Sequence, residues 1–90
     1  MKGEIHLLIY EDNSFFRNSL VELLSNVPDF KIMGAFENCN GILEHQSTLK
    51  PDVILMDIEM SGTNGIEGLR MLRSNHLETL VLMLTVFEDN

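Results

Sequence analysis

Basic residues are scarce in this 90-residue chain: six Lys and Arg stand against fourteen Asp and Glu, for a formal net charge of −8. A surface so short of positive charge does not match a phosphate backbone, which argues against nucleic-acid binding by this segment and against anionic membrane surfaces. Cysteine is limited to Cys39, so an internal disulfide is excluded; that fits a reducing cytosol, and Cys39 is read as an ordinary small side chain. No apolar run approaches the ~20 residues needed to span a bilayer. Met1-Lys2-Gly3-Glu4 leads straight into a short apolar stretch interrupted by His6, with no small-residue cleavage site behind it. These absences predict a soluble, cytoplasmic protein. Repeats, low-complexity tracts and linkers are missing as well, and ninety residues make one small domain. The apolar share of 44% is ordinary for a folded chain and argues against disorder.

What the chain does have is an alternation of short apolar runs and amphipathic stretches. Residues 4–10 read as a first strand. Asn13 or Ser14 then caps a helix whose apolar positions Phe16, Leu20, Leu23, Leu24 and Val27 follow the helical period, and Pro28-Asp29 ends it. Phe30 to Phe36 suits a second strand, and Lys31 within it is the charge an edge strand carries against unwanted pairing. A weaker helix follows around Ile42 to Thr48. Pro51 opens a third strand through Val53-Ile54-Leu55-Met56. A loop with two glycines, Ser61 to Gly65, precedes a third helix over about Ile66 to Asn75 with Ile66, Leu69 and Leu72 facing inward. Leu80 to Thr85 is a fourth strand. The βαβαβαβ pattern predicts an α/β fold with a parallel sheet and right-handed crossovers.

Two of these strands end in carboxylates. Glu11-Asp12 follows the first apolar run and Asp57 the third. Ligands of such sheets sit beyond the carboxyl ends of the strands, where Thr85 also falls. Three acids brought close either take up protons or bind a cation, and oxygen-only ligands favour a hard ion such as Mg²⁺. The six Met residues read as core filler. His6, His45 and His76 have no ligand spacing and read as structural or exposed.

Taken in order, Glu11-Asp12, Asp57-Ile58-Glu59-Met60, Gly65 and Thr85 resemble the receiver domain of two-component response regulators, over essentially the whole chain. The ending Leu84-Thr85-Val86-Phe87-Glu88-Asp89 is similar to the subfamily of LuxR-type transcription factors. The resemblance implies a flavodoxin-like doubly wound sheet with strands 1–4 of a 2-1-3-4-5 order. It implies that Asp57 is the phosphoacceptor, attacking a phosphohistidine of a sensor histidine kinase and so regulating a downstream, DNA-binding output. Glu11, Asp12, Asp57 and the main-chain carbonyl of Glu59 would hold Mg²⁺, and Thr85 would contact the phosphoryl group as a switch. In the family a helix, a fifth strand ending in a Lys that pairs with the phosphoryl group, and a final helix come next. The expectation is therefore a receiver domain over 1–90 without that helix-strand-helix and without an output domain.

Ser61 stands where the family has Pro, and Asn64 where Asp is frequent; both lie in loops. Two other functions fit part of the pattern. A phosphorylation-incompetent interaction module would follow from the absent Lys. An Asp-nucleophile phosphohydrolase of the haloacid dehalogenase type would need an Asp-x-Asp on an early strand, whereas Asp57-Ile58-Glu59 offers Glu and lies on the third. The uncharged fourth strand, Leu80-Val81-Leu82-Met83-Leu84, predicts self-association through an open edge, with Leu82 expected to face the core.

Overall fold

The run Ile5–Tyr10 forms strand β1, and its last four residues, Leu7, Leu8, Ile9 and Tyr10, are all buried. Burial on both faces is what a continuous apolar strand in the middle of a parallel sheet requires. The computed structural model describes residues 3–84. After β1 come α1 (Ser14–Ser25), β2 (Phe30–Phe36), α2 (Ile42–Leu49), β3 (Val53–Asp57), α3 (Gly65–Ser74) and β4 (Leu80–Leu84). The sheet runs β2-β1-β3-β4 with every pair parallel. This is the order expected for strands 1–4 of a flavodoxin-like sheet. The expected strand residue Thr85 lies outside the described residues.

Local chemistry sets the element ends. Asn13 accepts the Phe16 N–H on its Oδ1 at 2.9 Å and so caps α1, and Asn64 does the same for Glu67 at the start of α3. Lys50 ends α2 in the left-handed region at φ 46°, ahead of Pro51. The third strand begins two residues beyond Pro51, because proline has no N–H to offer the ladder. Asp52 is the first residue to bond β1: its N–H donates to the His6 carbonyl and its Oδ2 accepts the His6 N–H, each at 2.8 Å.

The two faces of the sheet are covered unequally. On one, Leu8, Tyr10, Ile54 and Met56 pack against Cys39, Ile42 of α2 and Leu72 of α3, all fully buried. The other carries α1, and Leu24 shares an apolar groove there with Ile5, Leu7, Phe30, Val53, Leu55, Leu80 and Leu82. Leu82 thus sits half exposed on that open face and not in the core, a correction to the sequence reading.

Two helices are rotated from their expected faces. Leu23 and Val27 of the expected α1 stripe are exposed, while Phe16, Leu20 and Leu24 are half-buried. In α3, Ile66 points outward, and the buried line is Gly65, Gly68 and Leu72. A Cβ on Gly68 would meet the Cys39 sulfur at 2.8 Å. The helix therefore packs on its smallest residues, which a search for apolar periodicity passes over.

Candidate metal and phosphoacceptor site

Parallel strands deliver their carboxyl ends to one edge, and register decides which residues meet there. Tyr10 pairs with Met56 across β1 and β3. One residue further along each strand, Glu11 arrives beside Asp57. Both are buried, at 2% and 8% exposure, while Asp12 is exposed. Carboxylate oxygens of Glu11, Asp12 and Asp57 all lie within 4.8 Å of one another. The structure therefore brings together the three acids singled out in the sequence.

Each acid is held differently. Glu11 is bonded through its backbone and its side chain. Its N–H donates to the Phe36 carbonyl at 2.9 Å, its carbonyl accepts from Arg17 Nη1 at 2.7 Å, and its Oε2 accepts the Asn13 N–H at 3.0 Å. That leaves Oε1, which is buried and, among the described residues, without a hydrogen-bond partner. Burial, first of all, pushes the Glu11 carboxyl above its ordinary value. The Asn13 N–H opposes the rise; the charge of Asp57 and the closeness of the Asp12 and Asp57 carboxyl groups add to it.

Asp57 closes β3, and its Oδ1 accepts the Glu59 N–H at 3.3 Å. Glu59 itself is exposed on the loop beyond. Gly65 packs against the Asp57 main chain so closely that a Cβ there would collide with the Asp57 carbonyl oxygen. The loop between them is tied at its far side. Thr63 donates its N–H to Asn40 Oδ1 at 2.8 Å and accepts the Cys39 N–H on its carbonyl at 2.9 Å. Thr85, the remaining expected site residue, lies outside the described residues.

The donor set suits a hard divalent cation. It is all oxygen, one member is a buried carboxylate oxygen without a hydrogen-bond partner among the described residues, and close carboxylates repel unless protonated or bridged. Sequence reading missed the parts that hold the acids: Arg17, the Asn13 N–H and Asn40. Asn13 and Arg17 stand two and six residues past Glu11, so helical geometry could have suggested them. Asn40 is 23 residues from Thr63, and no local signal reveals that bond. Nor does one reveal the Tyr10 hydroxyl at 2.9 Å from His45 Nδ1, or the stacking of His45 on Phe36 with ring centroids 3.7 Å apart. His45 is structural, as the absence of ligand spacing implied.

Comparison with known proteins agrees with this geometry. The response regulator receiver domain model matches residues 7–90. A protein-glutamate methylesterase/protein-glutamine glutaminase of Idiomarina loihiensis is 38% identical over 72 residues, covering 80% of this chain and 19% of that protein. The transcriptional regulatory protein LnrK of Bacillus subtilis is 34% identical over 86 residues, 96% of this chain and 39% of that one. The crystal structure of a DNA-binding response regulator of the LuxR family from Staphylococcus aureus superposes with a TM-score of 0.84 at 32% identity, covering 94% of this chain and 71% of that chain. The chain spans less than half the length of these curated relatives, and they carry different outputs, so the match singles out no subfamily. With three acids at the carboxyl edge of a 2-1-3-4 parallel sheet and a family match over nearly its whole length, the chain belongs to the response regulator receiver domain family.

Proposed function

We propose that this chain, over 1–90, is the phosphoacceptor unit of a cytoplasmic two-component phosphorelay, with Asp57 as the residue modified. The observation that carries this is the convergence of Glu11, Asp12 and Asp57 at one strand edge. Asp57 attacks the phosphorus of a phosphohistidine on a sensor histidine kinase. An Asp57 oxygen–phosphorus bond forms, the phosphorus–nitrogen bond breaks, and the imidazole leaves with a proton. Glu11, Asp12, Asp57 and the Glu59 main-chain carbonyl would hold Mg²⁺, which neutralises phosphoryl charge during transfer. Asp57 is pre-aligned by the Glu59 N–H, so little reorientation precedes attack. Thr85 contacts the phosphoryl group afterwards and biases the surface that the output reads. That output is a LuxR-type DNA-binding unit, a reading supported by the 34% and 32% identities to LnrK and to the Staphylococcus aureus regulator. The chain acts as an acceptor and turns over no other substrate.

Incubation with a small acyl-phosphate donor and Mg²⁺, read by intact-mass spectrometry, tests this. A single phosphoryl adduct is expected on the parent and none on Asp57→Asn. An adduct that survives the substitution would move the acceptor elsewhere. No adduct on either would favour an interaction module, and turnover of a generic phosphate ester would favour a hydrolase.

A further inference from the structure

Arg17 reaches the acid cluster through the Glu11 backbone, and among the described residues it bonds no carboxylate. Its Nη1 donates to the main-chain carbonyl of Glu11 at 2.7 Å. Arg17 stands one turn past the α1 cap, its own N–H bonded to the Asn13 carbonyl at 2.8 Å. The cap residue donates its N–H to Glu11 Oε2 and accepts from Phe16 on Oδ1. A closed circuit results: Glu11 carboxylate to Asn13, Asn13 to α1, and α1 through Arg17 back to the Glu11 carbonyl. With the Glu11 N–H on Phe36, the buried Oε1 is the one polar atom of this residue without a hydrogen-bond partner among the described residues.

We infer that Arg17 is a positioning residue for the metal site: by fixing the Glu11 peptide from the first turn of α1, it aims Oε1 at the ion. The inference rests on the reading of the three acids as a Mg²⁺ site. Partners behind a metal ligand commonly set its affinity as strongly as the ligand's own chemistry. Charge and positioning predict opposite signs here. A guanidinium bonded to the Glu11 backbone repels a divalent cation held by the Glu11 side chain, so its removal on charge grounds alone tightens Mg²⁺ binding. If Arg17 acts by holding the Glu11 carbonyl, removal weakens it.

Calorimetric Mg²⁺ titration of the full chain, the Arg17→Met and Arg17→Lys variants and Asp12→Asn decides between them. Thermal midpoints in chelator, recorded alongside, report stability separately. Arg17→Met is expected to bind roughly tenfold more weakly, with Arg17→Lys between it and the parent because an ammonium keeps the charge but loses the reach of the fork. Equal or tighter binding by Arg17→Met overturns the inference. Should that variant fail to fold, Arg17→Lys decides: weaker binding at unchanged charge supports positioning, and parental or tighter binding overturns it. A parent that ignores Mg²⁺, or an Asp12→Asn chain that titrates like the parent, overturns the site reading and this inference together.

Discussion

Glu11 shows how a single buried residue can hold function against stability. Its burial, the neighbouring charge of Asp57 and the closeness of the Asp12 and Asp57 carboxyl groups raise its pKa, so the folded chain without metal holds a proton there more tightly than the unfolded chain does. A raised carboxyl contributes fully to stability below its unfolded pKa, and that contribution is lost as pH climbs through the folded one. At neutral pH the ionised group is therefore a net cost. In Glu11→Gln the carboxamide oxygen still accepts the Asn13 N–H, and its NH₂ can donate toward Asp57. The variant is expected to melt above the parent in chelator at neutral pH, with the gap closing as pH falls into the ordinary carboxylate range. Mg²⁺ should raise the parent's melting temperature and leave that of the variant nearly unchanged. A variant that melts below the parent at neutral pH would contradict the cost assigned to the buried, ionised Glu11 carboxylate. The acids were legible in the sequence because they end apolar runs. Their supports were less so: Asn13 and Arg17 follow Glu11 at a spacing a helix start allows, but Arg17 acts through a carbonyl, and a backbone bond carries no residue signature.

At the scale of elements, strands were easier to read than helix faces. A buried strand needs only a run of apolar residues, and Phe30–Phe36 appeared where it was expected. Helix faces depend on what they pack against. Ile66 carries the strongest apolar signal at the start of α3 yet is exposed, because close packing of α3 against β3 and Cys39 selects Gly65 and Gly68. Such a contact reports itself by the absence of a side chain, which no hydrophobic period detects. Gly65 links this packing to the site. A Cβ there has to displace the Asp57 carbonyl, backbone that cannot swing aside as a flexible side chain would. Gly65→Ala should cost on the order of 1–3 kcal/mol, read as a lower urea midpoint, and should slow acyl-phosphate labelling of Asp57. Gly68→Ala should destabilise without that loss of labelling rate, because its nearest neighbours are Cys39 and Ile42, away from the acids. Labelling slowed equally in both would mean that general loosening, and not the Asp57 contact, sets the rate.

For the molecule as a whole, the unequal covering of the sheet is the dominant physical fact. One face is sealed by α2 and α3, whereas the other shows α1 alone among the described elements. Ile5, Leu80 and Leu82 remain 38%, 57% and 49% exposed along that face. Burying what they still expose would gain on the order of 1 kcal/mol each, small singly but concentrated in one groove. The edges differ in the same sense. β2 carries exposed Lys31, which discourages pairing, while the run Leu80–Leu84 has neither charge nor proline, and no described strand pairs with its outer side. Apolar face and open edge meet at β4, so a second copy of this chain is the occupant that can cover both at once. The chain of these ninety residues is expected to sediment as a concentration-dependent dimer or larger species at neutral pH. Because Leu82 lines the groove and is half exposed, Leu82→Lys places an ammonium in the contact instead of in the core, and should shift the population toward monomer while the fold persists. A parent chain that sediments as a cooperatively folded monomer across micromolar to millimolar concentrations would remove the groove and edge as an association surface.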